Sequence, residues 1–216
     1  MLPSGATEVI LARHGSSAPF EEKARFGLVG GQSDPPLTPT GHAQSLALAR
    51  RLARERVMGL FITPLRRTAE TVAPLAEQLG LEAIVVPELR EVHLGEWETD
   101  GGFSARRPDR GALRQRVLDE EEWGLIPGAE DLQALEKRVR LGLEKVASYV
   151  GPDRVGVAVV HGGVIAEACH QITQSRPFAF FAIENCSITR LIRDPDGRWT
   201  LQTFNDTAHL PKDGRH

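Results

Sequence analysis

An almost uninterrupted apolar run at Val155–Val160 constrains the fold of this chain more than any other feature. Such a run is typical of a central parallel strand, because helices cover both of its faces and neither face meets water. Thr7–Ala12 is predicted to form a second buried strand, and Val57–Ile62 and Ala83–Val86 are further apolar runs of strand length. These runs predict a mostly parallel sheet.

Helical patterns separate the predicted strands. Pro39–Glu55 carries an apolar stripe at helical spacing, and Thr38 is its predicted N-cap. Thr63-Pro64 repeats the signal and predicts a helix from Pro64 to about Leu79 that ends at Gly80. Strands that alternate with helices indicate a three-layer α/β/α sandwich. The other predicted elements are helices at Ala129–Val150 and Val164–Thr173, and a hairpin of Ile188–Ile192 with Trp199–Phe204.

Residues 96–128 differ from the rest of the chain. The segment is polar, contains Pro108 and Pro127, and has a helical pattern only at Ala112–Trp123. We expect it to be a small insertion that caps the active site. No internal repeat or low-complexity linker divides the sequence, so residues 1–216 are predicted to form a single domain.

The charge balance excludes some function classes. The 216 residues include 26 basic and 29 acidic side chains, for a net charge of −3, which argues against a nucleic-acid binder. No apolar stretch approaches the roughly 20 residues that span a bilayer, so no membrane partner is expected. The N-terminus has no signal-peptide pattern, and we expect a cytoplasmic protein.

Two chemistries lack the residue spacing that they require. Neither cysteine fits a cysteine phosphatase, because Arg176 lies seven positions after Cys169 and Arg190 four positions after Cys186. Both thiols are predicted to be buried and inert. A metallohydrolase built on His14, His93 and His161 is a weaker hypothesis, since no His-x-His or His-Glu-x-x-His spacing supports it.

Polar residues follow three predicted strands at the point where each strand ends. Arg13-His14-Gly15 ends the first strand, Thr63 ends the second, and His161-Gly162-Gly163 follows Val155–Val160. In parallel α/β folds, ligands bind beyond the carboxyl ends of the strands. We therefore expect these three elements to direct their polar residues to one site.

The residue types at this edge suit a phosphate monoester. Arg13 and Arg67 can each present a planar pair of donors to phosphate oxygens, and Arg67 falls in the first turn of its predicted helix. Thr71, one turn later, is expected to pack beside Arg67 or hydrogen-bond to it. Arg66 is expected to point elsewhere. Taken alone, Arg67 would be interpreted as a surface arginine.

Three ionisable residues can perform the chemistry. His14 is a candidate nucleophile, because nearby cations should keep its imidazole neutral near pH 7. A cationic His161 would stabilise the transferring phosphoryl group, and Glu91 would act first as general acid and then as general base. The alternatives are a histidine satisfied in a turn for His14, a helix N-cap for His161 and a surface loop glutamate for Glu91.

Taken in order, these segments resemble the histidine phosphatase superfamily, the phosphoglycerate mutase-like group. The resemblance implies a phosphohistidine on His14, a phosphate pocket of Arg13, Arg67 and His161, and Glu91 as proton donor, with no metal and no organic cofactor. Gly162, Ser16 and Thr71 are also expected in the phosphate and substrate site. The segments that carry the resemblance are Arg13-His14-Gly15, Leu37-Thr38-Pro39-Thr40-Gly41, Thr63-Pro64-Leu65-Arg66-Arg67 with Thr71, Leu89–Gly95 with Trp97-Glu98, His161-Gly162-Gly163 and Asn205-Asp206-Thr207-Ala208-His209.

Departures from the family pattern favour hydrolysis. Ser16 replaces an acidic or amide residue, Thr63 replaces a serine, and Pro19-Phe20 stands where cofactor-dependent mutases carry Trp-Asn. We therefore favour a phosphatase that acts on a small phosphorylated metabolite. A phosphoglycerate mutase is the first alternative. A weakly catalytic regulatory protein that binds phosphorylated ligands ranks last, since all the predicted catalytic residues are present.

Substrate choice is expected to depend on Ser16–Ser33 and on residues 96–128. Basic side chains there are candidates to bind a second acidic group, with scattered solvated cations as the alternative, and aromatic residues there are expected to line the pocket or to pack the insertion down. Nothing in the sequence identifies a subunit interface, so a homodimer stays open. The basic candidates are Lys23, Arg25, Arg106, Arg107 and Arg110, and the aromatic ones are Phe20, Phe26, Trp97 and Phe103.

Overall fold

A computed structural model describes residues 2–19, 26–103 and 107–211 of the chain, apart from the side chain of Asp100. Its central sheet has six strands in the order β5-β4-β6-β1-β7-β8, and β7 is antiparallel to both neighbours whereas the pairs among β5, β4, β6 and β1 are parallel. The mostly parallel sheet is thus confirmed. The strands are β1 Thr7–Arg13, β4 Val57–Ile62, β5 Ala83–Val85, β6 Arg154–Val160, β7 Ile188–Arg193 and β8 Trp199–Asp206, with β2 Leu28–Val29 and β3 Gln32–Ser33 as a separate small ribbon.

Helices cover both faces of the sheet, which confirms the three-layer α/β/α arrangement. Alternate residues of β1 face opposite sides: Ile10 packs with the apolar residues of α1 and α2, and Val9 and Leu11 pack with those of α4 and α5. Both clusters consist largely of fully buried aliphatic side chains. The helices are α1 Pro39–Leu52, α2 Arg66–Leu79, α3 Gly111–Glu120, α4 Leu132–Val150 and α5 Gly162–Thr173.

The two predicted threonine caps have different outcomes. The prediction for Thr38 is confirmed, because its Oγ1 accepts a hydrogen bond from Gly41 N at 3.0 Å at the start of α1. The prediction for Thr63 is wrong, because α2 begins at Arg66 and no side chain of its own N-cap residue caps it. Asp34 Oδ1 instead accepts from Arg66 N at 2.8 Å. The local sequence signal therefore missed a cap that comes from a remote loop.

Residues 96–128 form short helical pieces in their described part. A 3₁₀ helix covers Gly95–Asp100, and two more lie at Pro108–Arg110 and Trp123–Leu125 on either side of α3. The predicted helix at Ala112–Trp123 ends at Glu120, since Glu121 adopts the left-handed conformation with φ 55°. Phe103 and Trp123 pack against Phe178 and Phe181, so aromatic contacts hold this segment onto the loop before β7.

The remaining boundaries shift by a few residues. The helix predicted from Ala129 begins at Leu132, with Asp131 as N-cap, and the one predicted from Val164 begins at Gly162. In the part of the chain that the structure describes, no helix combines the length and the apolar character needed to cross a membrane.

Candidate active site

A cavity of about 800 Å³ opens at the carboxyl edge of the sheet. His14 directly follows β1, and its backbone N–H donates to the carbonyl of Val160, the last residue of β6, at 2.9 Å. This bond ties the loops after the two central strands together. The predicted site residues on the cavity wall are Arg13, His14, Ser16, Arg67, Glu91 and Gly162.

The His14 ring is held with a defined tautomer. Its Nδ1 lies 2.8 Å from the carbonyl oxygen of Gly15, and a carbonyl can only accept, so Nδ1 carries the proton and Nε2 keeps its lone pair. The residue is only 5% exposed. Asn185, which sequence reasoning missed, donates from Nδ2 to the His14 carbonyl at 2.9 Å. The result is a fixed imidazole with an unprotonated Nε2.

Burial and positive charge keep this imidazole neutral. Burial lowers the pKa of His14 well below its usual value, and the guanidinium groups of Arg67 and Arg13 lower it further, against a smaller opposing effect of the Gly15 hydrogen bond. The expectation that His14 is neutral near pH 7 therefore agrees with the structure.

Buried Arg67 and half-buried Arg13 supply positive charge without an ion-pairing carboxylate among the described residues. Arg13 donates from Nη1 to the carbonyl of Ile183, and Arg67 from Nη1 to that of Ser33 at 2.9 Å. Neither forms an ion pair within the described residues, and Nε of Arg13 is buried without a partner there. Burial lowers the pKa of both groups, yet a guanidinium stays protonated in a protein. Glu91 partly offsets both charges from a distance, but with no ion pair the two cations still favour an anion in the cavity.

His161 lies beside His14 and is fully buried, with the two ring centroids 5.2 Å apart. Its Nε2 shares a hydrogen bond of 2.9 Å with Thr63 Oγ1, whereas Nδ1 has no partner in the described residues. Burial lowers the pKa of His161 well below its usual value, and Arg67 and His14 add to this shift. In the empty site, burial and neighbouring positive charge therefore favour the neutral ring, and a cationic His161 during phosphoryl transfer stays a prediction.

The carboxyl group of Glu91 is held from one side. Its Oε1 accepts from the backbone N–H groups of Val92 at 3.0 Å and Gly163 at 3.1 Å. Oε2 has no hydrogen bond to a described residue. Burial raises the pKa of Glu91, although the Val92 hydrogen bond and the positive charge of Arg67 act in the opposite direction. A protonated Glu91 would carry its proton on Oε2.

Thr71 supports the site by hydrogen bonds to the backbone of two site residues. Its Oγ1 accepts from Gly15 N at 2.9 Å and donates to the carbonyl of Arg67 at 2.7 Å. The expected hydrogen bond to Arg67 is therefore present, but the hydroxyl is engaged with backbone groups and does not line the cavity. Thr71 positions Gly15 and Arg67, and its predicted contact with phosphate is corrected accordingly.

Several candidate cations are already engaged. Arg66 pairs with Glu70 at 3.0 Å, as expected for a side chain that points away from the site. Arg107 lies 3.3 Å from Asp109, and the guanidinium of Arg110 lies over the Trp97 ring. Lys23, Arg25, Arg106 and Phe20 are outside the described residues. Phe26 and Phe103 do line the cavity.

Sequence reasoning missed Arg114 on α3. Its half-buried guanidinium lines the cavity, and its carbon Cζ lies 4.8 Å from the centroid of the Phe103 ring. Within the described residues its hydrogen bond is to a backbone carbonyl, that of Phe103, and it has no ion pair. The only signal in the sequence was its position in a basic helix of the insertion.

The two cysteines are buried, as predicted. Burial raises the pKa of each thiol to about 12. Among the described residues, no group of three or more His, Cys, Asp or Glu side chains is arranged to hold a metal ion.

The fold and the site together define an α/β protein with two histidines and two arginines close together at the carboxyl edge of its sheet. Residues 9–207 match the family model of the histidine phosphatase superfamily, branch 1. The chain belongs to this superfamily.

Relatives with different activities cover most of the chain. It is 27% identical over 209 residues to a "Probable phosphoglycerate mutase" of Yersinia enterocolitica, with 94% of both chains covered. It is 26% identical over 213 residues to a metal-independent phosphoserine phosphatase of Arabidopsis thaliana, which covers 98% of this chain and 86% of the relative. A mycobacterial glucosyl-3-phosphoglycerate phosphatase is structurally similar, with a TM-score of 0.74, 29% identity, and coverage of 94% of this chain and 100% of the other.

Proposed function

We propose that this protein is a metal-independent phosphomonoesterase that hydrolyses small phosphorylated metabolites through a phosphohistidine on His14. The observation that carries the proposal is the hydrogen bond of 2.8 Å from His14 Nδ1 to the Gly15 carbonyl. Together with the lowered pKa of His14, it leaves Nε2 unprotonated beside buried Arg67 and half-buried Arg13, neither of which forms an ion pair in the described residues. A nucleophile and the positive charge for a phosphate dianion therefore occupy one cavity.

The first half-reaction transfers the phosphoryl group to the protein. Nε2 of His14 attacks phosphorus and forms an N–P bond, while the P–O bond to the alcohol breaks. Arg13 and Arg67 stabilise the equatorial phosphoryl oxygens by charge-assisted hydrogen bonds. Glu91 gives the proton on Oε2 to the departing oxygen, so the product leaves as a neutral alcohol.

The second half-reaction restores the site. The Glu91 carboxylate takes a proton from a water molecule whose oxygen attacks phosphorus, and the N–P bond breaks to release inorganic phosphate. His161 lies beside His14, and a bound phosphate dianion would favour its protonation by proximity. The buried arginines supply the positive charge that phosphoryl transfer needs.

The size and lining of the cavity indicate the substrate class. Its volume of about 800 Å³ leaves ample room beyond a phosphate group. Part of the wall is aromatic, and Arg114 adds a cation without an acidic partner in the described residues. We assign the selection of the alcohol part to this wall, to which residues 96–128 contribute Phe103, Trp123 and Arg114. The aromatic wall consists of Phe26, Phe103, Trp123 and Phe181.

We infer that preferred substrates carry an apolar surface and a second anionic group besides the phosphate. Arg114 is placed to bind that anion. The substrates in the names of two relatives, phosphoserine and glucosyl-3-phosphoglycerate, are phosphate esters that also carry a carboxylate. Mutase activity is the second candidate, because other relatives are named phosphoglycerate mutases. It predicts exchange of phosphate between two positions of phosphoglycerate without net release.

A phosphatase screen in the presence of EDTA tests the proposal. The purified protein and its His14→Ala variant are incubated with sugar phosphates, phosphoglycerates, phosphoserine, nucleotides and an aryl phosphate. We expect phosphate release from phosphate esters that carry a second anionic group. The rate of release should be at least about 10³-fold lower in the variant. Acid-labile label from a ³²P-substrate should be trapped on the wild type and absent from the variant. Unchanged turnover in the variant would contradict the mechanism, and exchange without release would identify a mutase.

A further inference from the structure

We propose that Arg138, on α4, is a positioning residue that holds the Glu91 loop in place for proton transfer. The proposal rests on the proposed function, because it assumes that Glu91 is the proton donor. Arg138 does not line the cavity, so it touches the reacting groups only through the loop that it contacts, and its positive charge also acts to lower the pKa of Glu91.

The guanidinium of Arg138 binds the backbone of the loop at three points. Nη1 donates to the carbonyl of Glu88 at 2.8 Å and to that of Arg90 at 2.6 Å, and Nη2 donates to the carbonyl of Glu91 at 3.0 Å. One rigid planar group therefore fixes the path of the chain that leads into the proton donor and the backbone of the proton donor itself.

Glu130 anchors the same guanidinium from the other direction. Its Oε1 accepts from Arg138 Nε at 2.6 Å and its Oε2 from Nη2 at 2.7 Å. The backbone N–H of Glu130 donates to the carbonyl of His93 at 2.9 Å. The pair is largely buried, with both side chains 14% exposed. All five guanidinium N–H groups thus have a partner, so the Arg138–Glu130 pair can hold a single geometry.

The loop depends on this support because regular structure in it is limited. After β5, the segment contains only the 3₁₀ helix Pro87–Leu89 before Glu91 in the described residues. Gln32 Nε2 also donates to the Glu91 carbonyl, at 2.6 Å. With its backbone carbonyl fixed from α4 and its Oε1 fixed by Gly163 N from α5, Glu91 presents Oε2 in one direction.

Proton transfer needs such placement more than phosphate binding does. A displacement of about 1 Å can cost about 10²-fold in rate, because the proton must reach the departing oxygen within hydrogen-bond distance. His14, Arg13 and Arg67 have no contact with Arg138 and would keep their positions. Loss of Arg138 should therefore impair the protonation of the leaving group selectively.

Two substrates separate this effect from general damage. Nitrophenolate leaves p-nitrophenyl phosphate without a proton, whereas the alkoxide of glycerol phosphate must be protonated. The value of kcat/KM includes only the steps up to phosphoryl transfer, so dephosphorylation of His14, which is common to both esters, does not enter.

The variants are Arg138→Gln, Arg138→Lys, Glu130→Gln and Glu91→Gln. Arg190→Gln is the control, because Arg190 is also 14% exposed and also bridges two carboxylates, Glu8 and Glu55, at the opposite end of β1 from His14.

We expect Arg138→Gln to lower kcat/KM for glycerol phosphate by about 10²-fold and for p-nitrophenyl phosphate by less than about 3-fold. Glu91→Gln should show the same pattern, and Arg138→Lys and Glu130→Gln a weaker form of it. Arg190→Gln should change kcat/KM by the same factor for both esters. Should Arg138→Gln fail to fold, Arg138→Lys and Glu130→Gln give the same discrimination.

Equal losses on both esters, or no loss, in the Arg138 and Glu130 variants would overturn the positioning role. If Glu91→Gln itself lacks the discrimination, the role of Glu91 in the proposed function fails. If no phosphate is released from either ester by the wild type, the proposed function as a whole fails. The three failures are therefore distinguishable.

Discussion

Gly163 donates its backbone N–H to Oε1 of Glu91 over 3.1 Å, and only glycine permits this approach. A Cβ atom added at Gly163 would lie 2.7 Å from the same Oε1 and 2.5 Å from Cγ2 of Val92. The second glycine of His161-Gly162-Gly163 therefore makes room for the carboxyl group in the first turn of α5. The helix that follows β6 and the loop that follows β5 meet at this contact.

Replacing Gly163 with alanine should displace Glu91. We expect Gly163→Ala to lower kcat/KM for an alkyl phosphate by about 10–10²-fold, with a smaller effect on p-nitrophenyl phosphate, since the displaced group is the proton donor. Gly111→Ala is the matched control, because it also lies in a first helical turn and a Cβ there meets no atom within 4 Å. Equal activity of the two variants would contradict the role of this close approach.

Thr63 should determine the orientation of His161. The Thr63→Val variant removes the hydroxyl that shares a hydrogen bond with Nε2, and the ring then has no partner among the described residues. We expect unfolding in urea to show a loss of about 1–3 kcal/mol of stability, with lower kcat/KM for alkyl and aryl esters alike. Thr63→Ser keeps the hydroxyl and should retain most of both quantities. Wild-type kcat/KM in Thr63→Val would contradict a role of this hydrogen bond in orienting His161 for catalysis.

The pH dependence of kcat/KM should differ between the two classes of ester. Because burial raises the pKa of Glu91, the group is protonated at acidic pH and loses its proton as the pH rises through that pKa. Activity on glycerol phosphate should fall as the pH rises through a value above the usual glutamate pKa, and activity on p-nitrophenyl phosphate should fall less.

The acid side of the same profile reports on His14. Burial and two arginines lower its pKa, so Nε2 stays unprotonated below the usual histidine value of about 6.5. We therefore expect protonation of His14 to cause no loss of kcat/KM for p-nitrophenyl phosphate near about pH 6.5. After correction for ionisation of the substrate, a kcat/KM that still falls as the pH drops through about 6.5 would contradict a lowered pKa of His14.

Arg114 should discriminate between substrates by charge. We expect Arg114→Gln to raise KM about tenfold for phosphate esters with a second anionic group and to leave neutral esters nearly unchanged, since a charge-assisted hydrogen bond contributes about 1.5–3 kcal/mol. Arg116→Gln is the matched control on the same helix, because Arg116 is exposed and pairs with Glu120 at 3.0 Å. Parallel changes for anionic and neutral esters would remove Arg114 from substrate recognition.

Local patterns in the sequence predicted most of the regular structure. The bounds of β4 agree at both ends, and the N-cap at Thr38 is as predicted, because apolar runs and a threonine before proline act within a few residues. The cap of α2 was mispredicted because Asp34, which binds Arg66 N, is thirty-two positions away. No local signal indicates such a partner.

The order of the strands and the residues at their ends were enough to bring Arg13, His14, Arg67 and Glu91 to one cavity, because parallel strands place their carboxyl ends at one edge. Tertiary structure decided what those residues do there. The lowered pKa of His161 and the supporting position of Thr71 depend on burial and on contacts across the fold. The hydrogen bond from Arg138 to the Glu91 carbonyl joins residues that are 47 positions apart. Sequence periodicity specifies which elements form, whereas desolvation and long-range hydrogen bonds set the protonation and orientation of the groups between them.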